Sequence, residues 1–454
     1  MHPTYDTGGR RWARLPYRSP ALLLVALACA PALAPPDLPA PTAAEPLTEF
    51  VNARWLVADT FAYGSRRVAG GRFVPTTSAP PAARIDLHGA WVVPAFGDAH
   101  THNLDGDTAT IAAYRREGVA YVQVLTNTPG GRARVAPALA GPGTLDAVYA
   151  NGGITSTYGH PMLAYEPRAM GIGWAEFRER REEVCASRLM EEKAYWFVDD
   201  AEDLDRQWGR ILATRPDLLK IFLLGADEHP DVPECRHLGL TGLAPAIARQ
   251  VVRRAHEAGL RVWAHVNTAA DFALAVDIGV DGIAHLPGYV FRVVDPEERR
   301  EDYLIDDATA RRAAASGVVV TPTVSLISLY APDDSVKQEE ARSILRENLA
   351  RLIEHGVPIA VGSDSYGRTA WAEVEALAGT GLWTPGELML AWSRTTPRAI
   401  FPGRRIGELV PGAEATFVGL ACDPRERLQC LREIEARVTD GVVRDASPAP
   451  PKDP

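Results

Sequence analysis

Basic charge is in short supply in these 454 residues: 48 Lys and Arg stand against 58 Asp and Glu, for a net charge of −10. A protein that grips nucleic acid needs a basic face to displace counterions from phosphate, so that class of partner is disfavoured. Long apolar runs are missing too. The run ALLLVALACAPALA at 21–34 falls short of the ~20 residues that a membrane-spanning helix requires. Preceded by Arg10, Arg11, Arg14 and Arg18, it reads as the core of an export signal over residues 1–34. Two processing readings stay open. ALAC at 26–29 presents Cys29 for lipidation, and ALAPP offers Ala32 and Ala34 to an ordinary signal peptidase. The expected location is therefore periplasmic, or membrane-anchored through Cys29. Cysteine is scarce, with five in the chain. Setting Cys29 aside leaves an even number, and an oxidising compartment allows two disulfides, expected as Cys185–Cys235 and Cys422–Cys430.

What is present divides into segments. Residues 35–47 are rich in Pro and Ala and read as a linker, and 446–454 read as a disordered tail. Residues 48–92 and 404–445 carry short β-prone runs broken by turn signals, Gly70-Gly71 and Asp440-Gly441 among them. Each piece is too small to bury a core alone. Together they are expected to form one composite β-sandwich domain, with residues 93–403 inserted between them. That insert alternates apolar strand-like runs with helical stretches, and eight such repeats match a (β/α)₈ barrel. A doubly wound sheet is the competing architecture. The position of the chemically capable residues decides between them.

Those residues fall at strand ends. His100 and His102 close the first run, Lys220 lies in the fourth, His265 in the fifth, His285 in the sixth and Asp364 in the eighth. A barrel brings these ends around one centre, where an open sheet would spread them. Residues i and i+2 of a strand share a face, so His100 and His102 can grip one metal. Lys220, in DLLKIFLLG, is harder to explain structurally, because an unpaired buried ammonium is costly. A lysine amine that has captured CO₂ becomes a carbamate, whose two oxygens can bridge two divalent cations.

PAFGDAHTH, LLKIFLL, VWAHVN, GIAHLPG and VGSDS, in that order and spacing, resemble the binuclear amidohydrolase superfamily, in the style of its imidazolonepropionase-like and Xaa-Pro dipeptidase-like members. IDLHGAWVVPAFGDAHTH resembles the family's approach to the first barrel strand, and TTPRAIF with IGELVPGAEATFVGL its return to the β domain. The resemblance covers residues 50–445. It implies that His100, His102 and Asp364 hold a first metal, His265 and His285 a second, and carboxylated Lys220 bridges them. Two Zn²⁺ suit imidazole and carboxylate donors, with iron, manganese or cobalt as alternatives. It further implies a metal-bridging hydroxide that attacks a carbonyl, with Asp364 carrying the proton to the leaving nitrogen. HVNTAADF lacks the glutamate that mononuclear deaminases of the superfamily place after the fifth-strand histidine, which argues against deamination.

The expected activity is hydrolysis of a carbon–nitrogen bond in a small amide or dipeptide-like substrate. A lactonase or phosphotriesterase on the same metals, and a non-catalytic small-molecule-binding barrel, are the rival readings. Substrate-facing candidates are Tyr158 and His160 after the third strand, Glu228 and His229 after the fourth, Tyr289 and Arg292 after the sixth, and Tyr330 after the seventh. The long third connection, residues 161–216, is expected to form a lid or pocket wall.

Overall fold

The structure, a computed structural model, describes residues 46–446 apart from 142, 231, 293–295 and 331–332. The export signal, Cys29, the linker up to residue 45 and the tail beyond residue 446 lie outside the described residues.

The chain opens with Thr48–Val57 (β1), Thr60–Ala69 (β2), Arg72–Val74 (β3), Ala83–Asp86 (β4) and Trp91–Pro94 (β5). Gly70 and Gly71 join β2 to β3 with φ of 57° and 71°, and Ala69 pairs with Arg72. Two consecutive positive φ values are what a tight hairpin turn needs, and glycine supplies them without strain.

Nine parallel strands follow. Phe96–Thr101 (β6), Val119–Val124 (β7) and Asp146–Tyr149 (β8) form one sheet in that order. Gly153–Thr155 (β9), Tyr195–Phe197 (β10), Leu219–Leu223 (β11), Val262–Val266 (β12), Gly282–Ala284 (β13) and Val319–Thr321 (β14) form a second, ordered β10-β9-β11-β12-β13-β14. Strands β11 and β12 are buried at every position, as expected where both faces of a parallel sheet are covered. Helices cover them: Pro245–Glu257 starts on a proline and buries Ile247, Ala248, Val251, Val252 and Ala255 along one stripe.

Phe417–Leu420 (β15), Ile434–Thr439 (β16) and Val442–Ala446 (β17) return to the first strands. The resulting eight-stranded sheet runs β17-β16-β15-β5-β1-β2-β3, with β4 paired to β1. It is one hydrogen-bonded sheet, where a sandwich of two was expected. The register shift between Phe50 and Ala53 in β1 bends it. Rings from distant strands then meet: Phe73 of β3 stacks on Phe417 of β15 at 5.8 Å, and Trp55 packs on Phe417 at 5.4 Å. Ala446 belongs to β17, so the tail starts one residue later than expected.

Two further expectations change. The third apolar run splits into β8 and β9, because Asn151 and Gly152 between them have φ of 53° and 97°. The eighth run, PIAVGSDS, makes no regular strand. Ala360 N bonds to Val320 O at 2.9 Å on one side, and Ala99 N to Val361 O at 2.9 Å on the other. Its amides at Val361 and Ser363 go instead to side chains, Thr396 Oγ1 at 2.8 Å and Asp98 Oδ1 at 3.0 Å. A Cβ at Gly362 would lie 2.7 Å from His100 N, so this close crossing requires glycine. Both expected disulfides form, Cys185–Cys235 and Cys422–Cys430.

Candidate metal centre

The C-terminal end of β6 delivers His100 and carries the chain into His102. Lys220 comes from β11 and His265 from β12, while His285 follows β13 and Asp364 lies in the segment crossing between β14 and β6. All six line one cavity of about 120 Å³. Asp364 is its hub. One carboxylate oxygen lies 3.2 Å from His100 Nε2 and 2.8 Å from His102 Nε2, and the other 3.6 Å from His285 Nδ1. His265 joins through ring contact with His285, 4.3 Å between centroids. His285 and Asp364 both adopt positive φ, 76° and 44°. That region is costly for a side chain and is sustained where surroundings enforce it.

The surroundings are buried polar anchors. Asp98, in β6, accepts from Ser363 Oγ at 2.8 Å and Tyr114 Oη at 2.9 Å, tying the His100 strand to the Asp364 segment. Desolvation raises Asp98 from 3.8 to about 6. His102 Nδ1 meets Thr126 O at 3.2 Å, so that nitrogen donates its proton and Nε2 keeps its lone pair facing the cavity. His265 Nε2 faces Asn267 Oδ1 at 3.1 Å and Tyr289 Oη at 3.3 Å, and Asp271 in turn accepts from the Asn267 amide at 3.1 Å.

The electrostatics favour neutral imidazoles. Burial pushes His100 and His265 well below their usual value and takes His285 down to about 3. Burial alone would raise the Asp364 carboxyl, but His100, His285 and His102 outweigh it and hold it well below its usual range. Lys220 falls from 10.5 to about 7 through desolvation. Its Nζ is buried without a hydrogen-bond partner, as is His100 Nδ1.

This donor set fits a divalent cation. Ligand atoms of His100, His285 and Asp364 lie within 4.8 Å of one another. Neutral imidazole and carboxylate donors in a water-poor pocket are those zinc and related metals take. The orphaned Lys220 amine adds a buried group that a cation site can satisfy once the amine carries an anion.

Of the substrate-facing candidates, His160 lines the cavity, stacked on His265 at 4.5 Å, and Tyr330 borders it. Tyr289 sits behind the cavity histidines, its ring 4.6 Å from His285. Tyr158 does not line the cavity: its ring packs against Arg188, in the cluster formed by the third connection. His229 does not either, because its Nε2 is held by Gly242 O at 3.0 Å. Glu228 is exposed, and Arg292 pairs with Glu340 at 3.2 Å. Sequence reasoning missed Tyr366 and Tyr165. Tyr366 stacks on His102 at 4.8 Å and stands two residues after Asp364, a proximity that was a usable signal. Tyr165 comes from the third connection, whose helix Met162–Ala169 supplies the pocket wall.

No protein-family model matches this sequence, and no curated protein does. Solved structures do match. A structure described as an amidohydrolase aligns at 20% identity and TM-score 0.65 over 88% of this chain and 99% of its own. A Xaa-Pro dipeptidase with methionine bound in its active site aligns at 16% and 0.66, over 88% and 100%. An ochratoxinase from A. niger aligns at 14% and 0.66, over 89% and 96%. At this level of identity the likeness speaks for the fold: the chain has the mixed α/β fold of these amidohydrolase and dipeptidase structures.

Proposed function

We propose that this protein is an exported, metal-dependent hydrolase of carbon–nitrogen bonds in small amide or dipeptide-like substrates, belonging to the binuclear amidohydrolases. The observation that carries the reading is the convergence of His100, His102, His265, His285, Lys220 and Asp364 on one cavity. On this reading β6, β7, the broken run β8 and β9, β11, β12, β13, β14 and the 359–365 segment act as the eight staves of one (β/α)₈ barrel, with the cavity at its C-terminal mouth. The fold shared with an amidohydrolase and a Xaa-Pro dipeptidase supports the bond class. The two disulfides, and the export signal read in the sequence, support an oxidising location, with Cys29 as a candidate lipid anchor.

His100, His102 and Asp364 would hold one cation and His265 and His285 the other, with Lys220, once carboxylated, offering its two oxygens to both. Two divalent cations, Zn²⁺ as the first choice, supply Lewis acidity and a water acidic enough to act as nucleophile near neutral pH. The chain's own groups do the rest. Asp364, poised 2.8 Å from His102, accepts the proton of the attacking water and returns it to the departing nitrogen. His160, neutral because burial lowers it to about 4, orients the substrate carbonyl from the cavity wall. Leu326, Tyr165 and Tyr366 exclude bulk water around it.

The test is a screen of zinc-loaded protein against dipeptides, N-acyl amino acids and lactones. Release of an amine and a carboxylate from amides is the expected result. Hydrolysis confined to lactones would overturn the bond assignment.

A further inference from the structure

The geometry points to a site for a small inorganic anion, chloride by size, where the eight-stranded sheet meets the parallel strands, built on Arg444 with Arg437 and Arg115 around it. The site shares no residue with the metal cavity and does not depend on the hydrolase reading.

Arg444 comes from β17, Arg437 from β16, and Arg115 from the last turn of the helix Ala109–Arg116. All three border one cavity of about 30 Å³. The other residues around it are apolar, Gly or Thr, and no carboxylate is among them. Thr144 is already committed, its Oγ1 donating to Leu139 O at 2.7 Å. Gly143 makes room for the guanidinium. Its φ is 82°, and a Cβ there would lie 1.9 Å from Arg444 Nε.

Two features call for an occupant. The first is a pair of orphaned donors. Arg444 Nε and Nη2 are sealed from solvent and make no hydrogen bond. Asp440 attracts the Arg444 charge across space, but no hydrogen bond joins the two. Buried donors on a charged group cost the most to leave unpaired, and native proteins satisfy them with a protein group, a water or an ion. The second feature is charge. Arg437 is tied to the seam by its Nη2 donating to Arg116 O at 2.5 Å, so its cation stays beside that of Arg444. Arg115 is exposed, and solvent weakens its share. A water would accept from the orphaned donors and leave the cations repelling one another. An anion accepts the same hydrogen bonds and offsets the charge. The cavity has room for a water-sized ion or little more, which suits a halide. Occupied, the site ties β16 and β17 to the helix Ala109–Arg116 and to the turn before β8, so the anion fastens the sheet onto the parallel strands.

Thermal unfolding of the full-length, metal-loaded protein tests this, with chloride exchanged for gluconate at constant ionic strength. The midpoint should rise saturably with chloride, by roughly 1–3 °C for a chain of this size once chloride exceeds its Kd about tenfold. Arg444→Gln should unfold at one temperature in both salts, with metal content unchanged, which separates this site from chloride bound at the metals. Wild-type crystals grown in sodium bromide should show an anomalous peak within hydrogen-bonding reach of Arg444 Nε and Nη2, and this map decides alone if the variant does not fold. A wild-type midpoint indifferent to the anion, a chloride-dependent rise that Arg444→Gln keeps, or a bromide map without a peak at Arg444 overturns the inference.

Discussion

Lys220→Met should act in opposite directions on the metal-free and metal-loaded protein. The Lys220 amine is fully buried and without a hydrogen-bond partner, and desolvation takes it from 10.5 to about 7. At ~1.4 kcal/mol per pKa unit, holding the ammonium in this site costs up to about 5 kcal/mol. The sign follows from proton linkage. A lysine with a folded value below its unfolded one carries the full cost below pH 7 and sheds it as pH rises from 7 to 10.5. Methionine has nearly the same length and no charge to desolvate. In chelator-treated, CO₂-free buffer at pH 6, Lys220→Met should therefore be several kcal/mol more stable than the wild type, and the difference should shrink towards pH 10. With metal supplied, the variant has no anion to bridge two cations and should retain one of the two, with most activity lost. Denaturant unfolding and elemental analysis read the two halves. A variant less stable than metal-free wild type at pH 6, or one that keeps both ions, would refute the reasoning.

Asp364→Asn keeps the shape of the hub and removes its proton acceptor, so kcat on any substrate found should fall by ~10²–10⁴-fold; near-normal turnover would exclude a proton-transfer role. Glu373 accepts from the Val324 and Ser325 amides at 2.9 and 2.8 Å, and desolvation raises it from 4.5 to about 7. A carboxyl with a raised folded value contributes stability that is present below pH 4.5 and lost as pH rises to 7, up to about 3 kcal/mol here. Glu373→Gln should lack that loss when urea unfolding at pH 5 and 7.5 is compared, and parallel wild-type and variant slopes would count against it. Cys185 and Cys235 close a loop of 50 residues and Cys422 and Cys430 one of 8. Chain entropy then predicts that replacing the first pair with serine costs about 4 kcal/mol and the second about 2.5 kcal/mol. Equal losses in denaturant unfolding would contradict that order.

The site was legible because its chemistry sits where strand periodicity and sequence spacing speak together. His100 and His102 are two apart at the end of a buried strand, and Lys220 is an amine with no reason to lie between Leu219 and Ile221 unless it has a task. The turns at Gly70-Gly71 and Asp440-Gly441 were legible for a local reason, since their positive φ values favour those residues. What was hidden depends on long-range contacts. The irregular 359–365 segment follows from Asp98 and Thr396 capturing its amides across the chain. The single curled sheet follows from a bulge that no residue type announces. Strand β10 lies in the third connection, and its three residues pair with β9, about forty positions earlier in the chain, a contact that no local pattern announces. Tyr158 and His160 share one turn, yet the φ of 61° at Tyr158 belongs to a bend that sends its ring to Arg188 while His160 faces His265.

A count of metal ions tests the binuclear centre most directly. Purified full-length protein, stripped by chelation, re-equilibrated with Zn²⁺ under CO₂ and freed of excess metal, should carry two ions per chain by elemental analysis. His265→Ala and His100→Ala should each lower the count, because each removes a donor from a different cation. A wild-type protein that retains one ion or none, or a count of two that neither substitution changes, would contradict a binuclear centre built from these six residues.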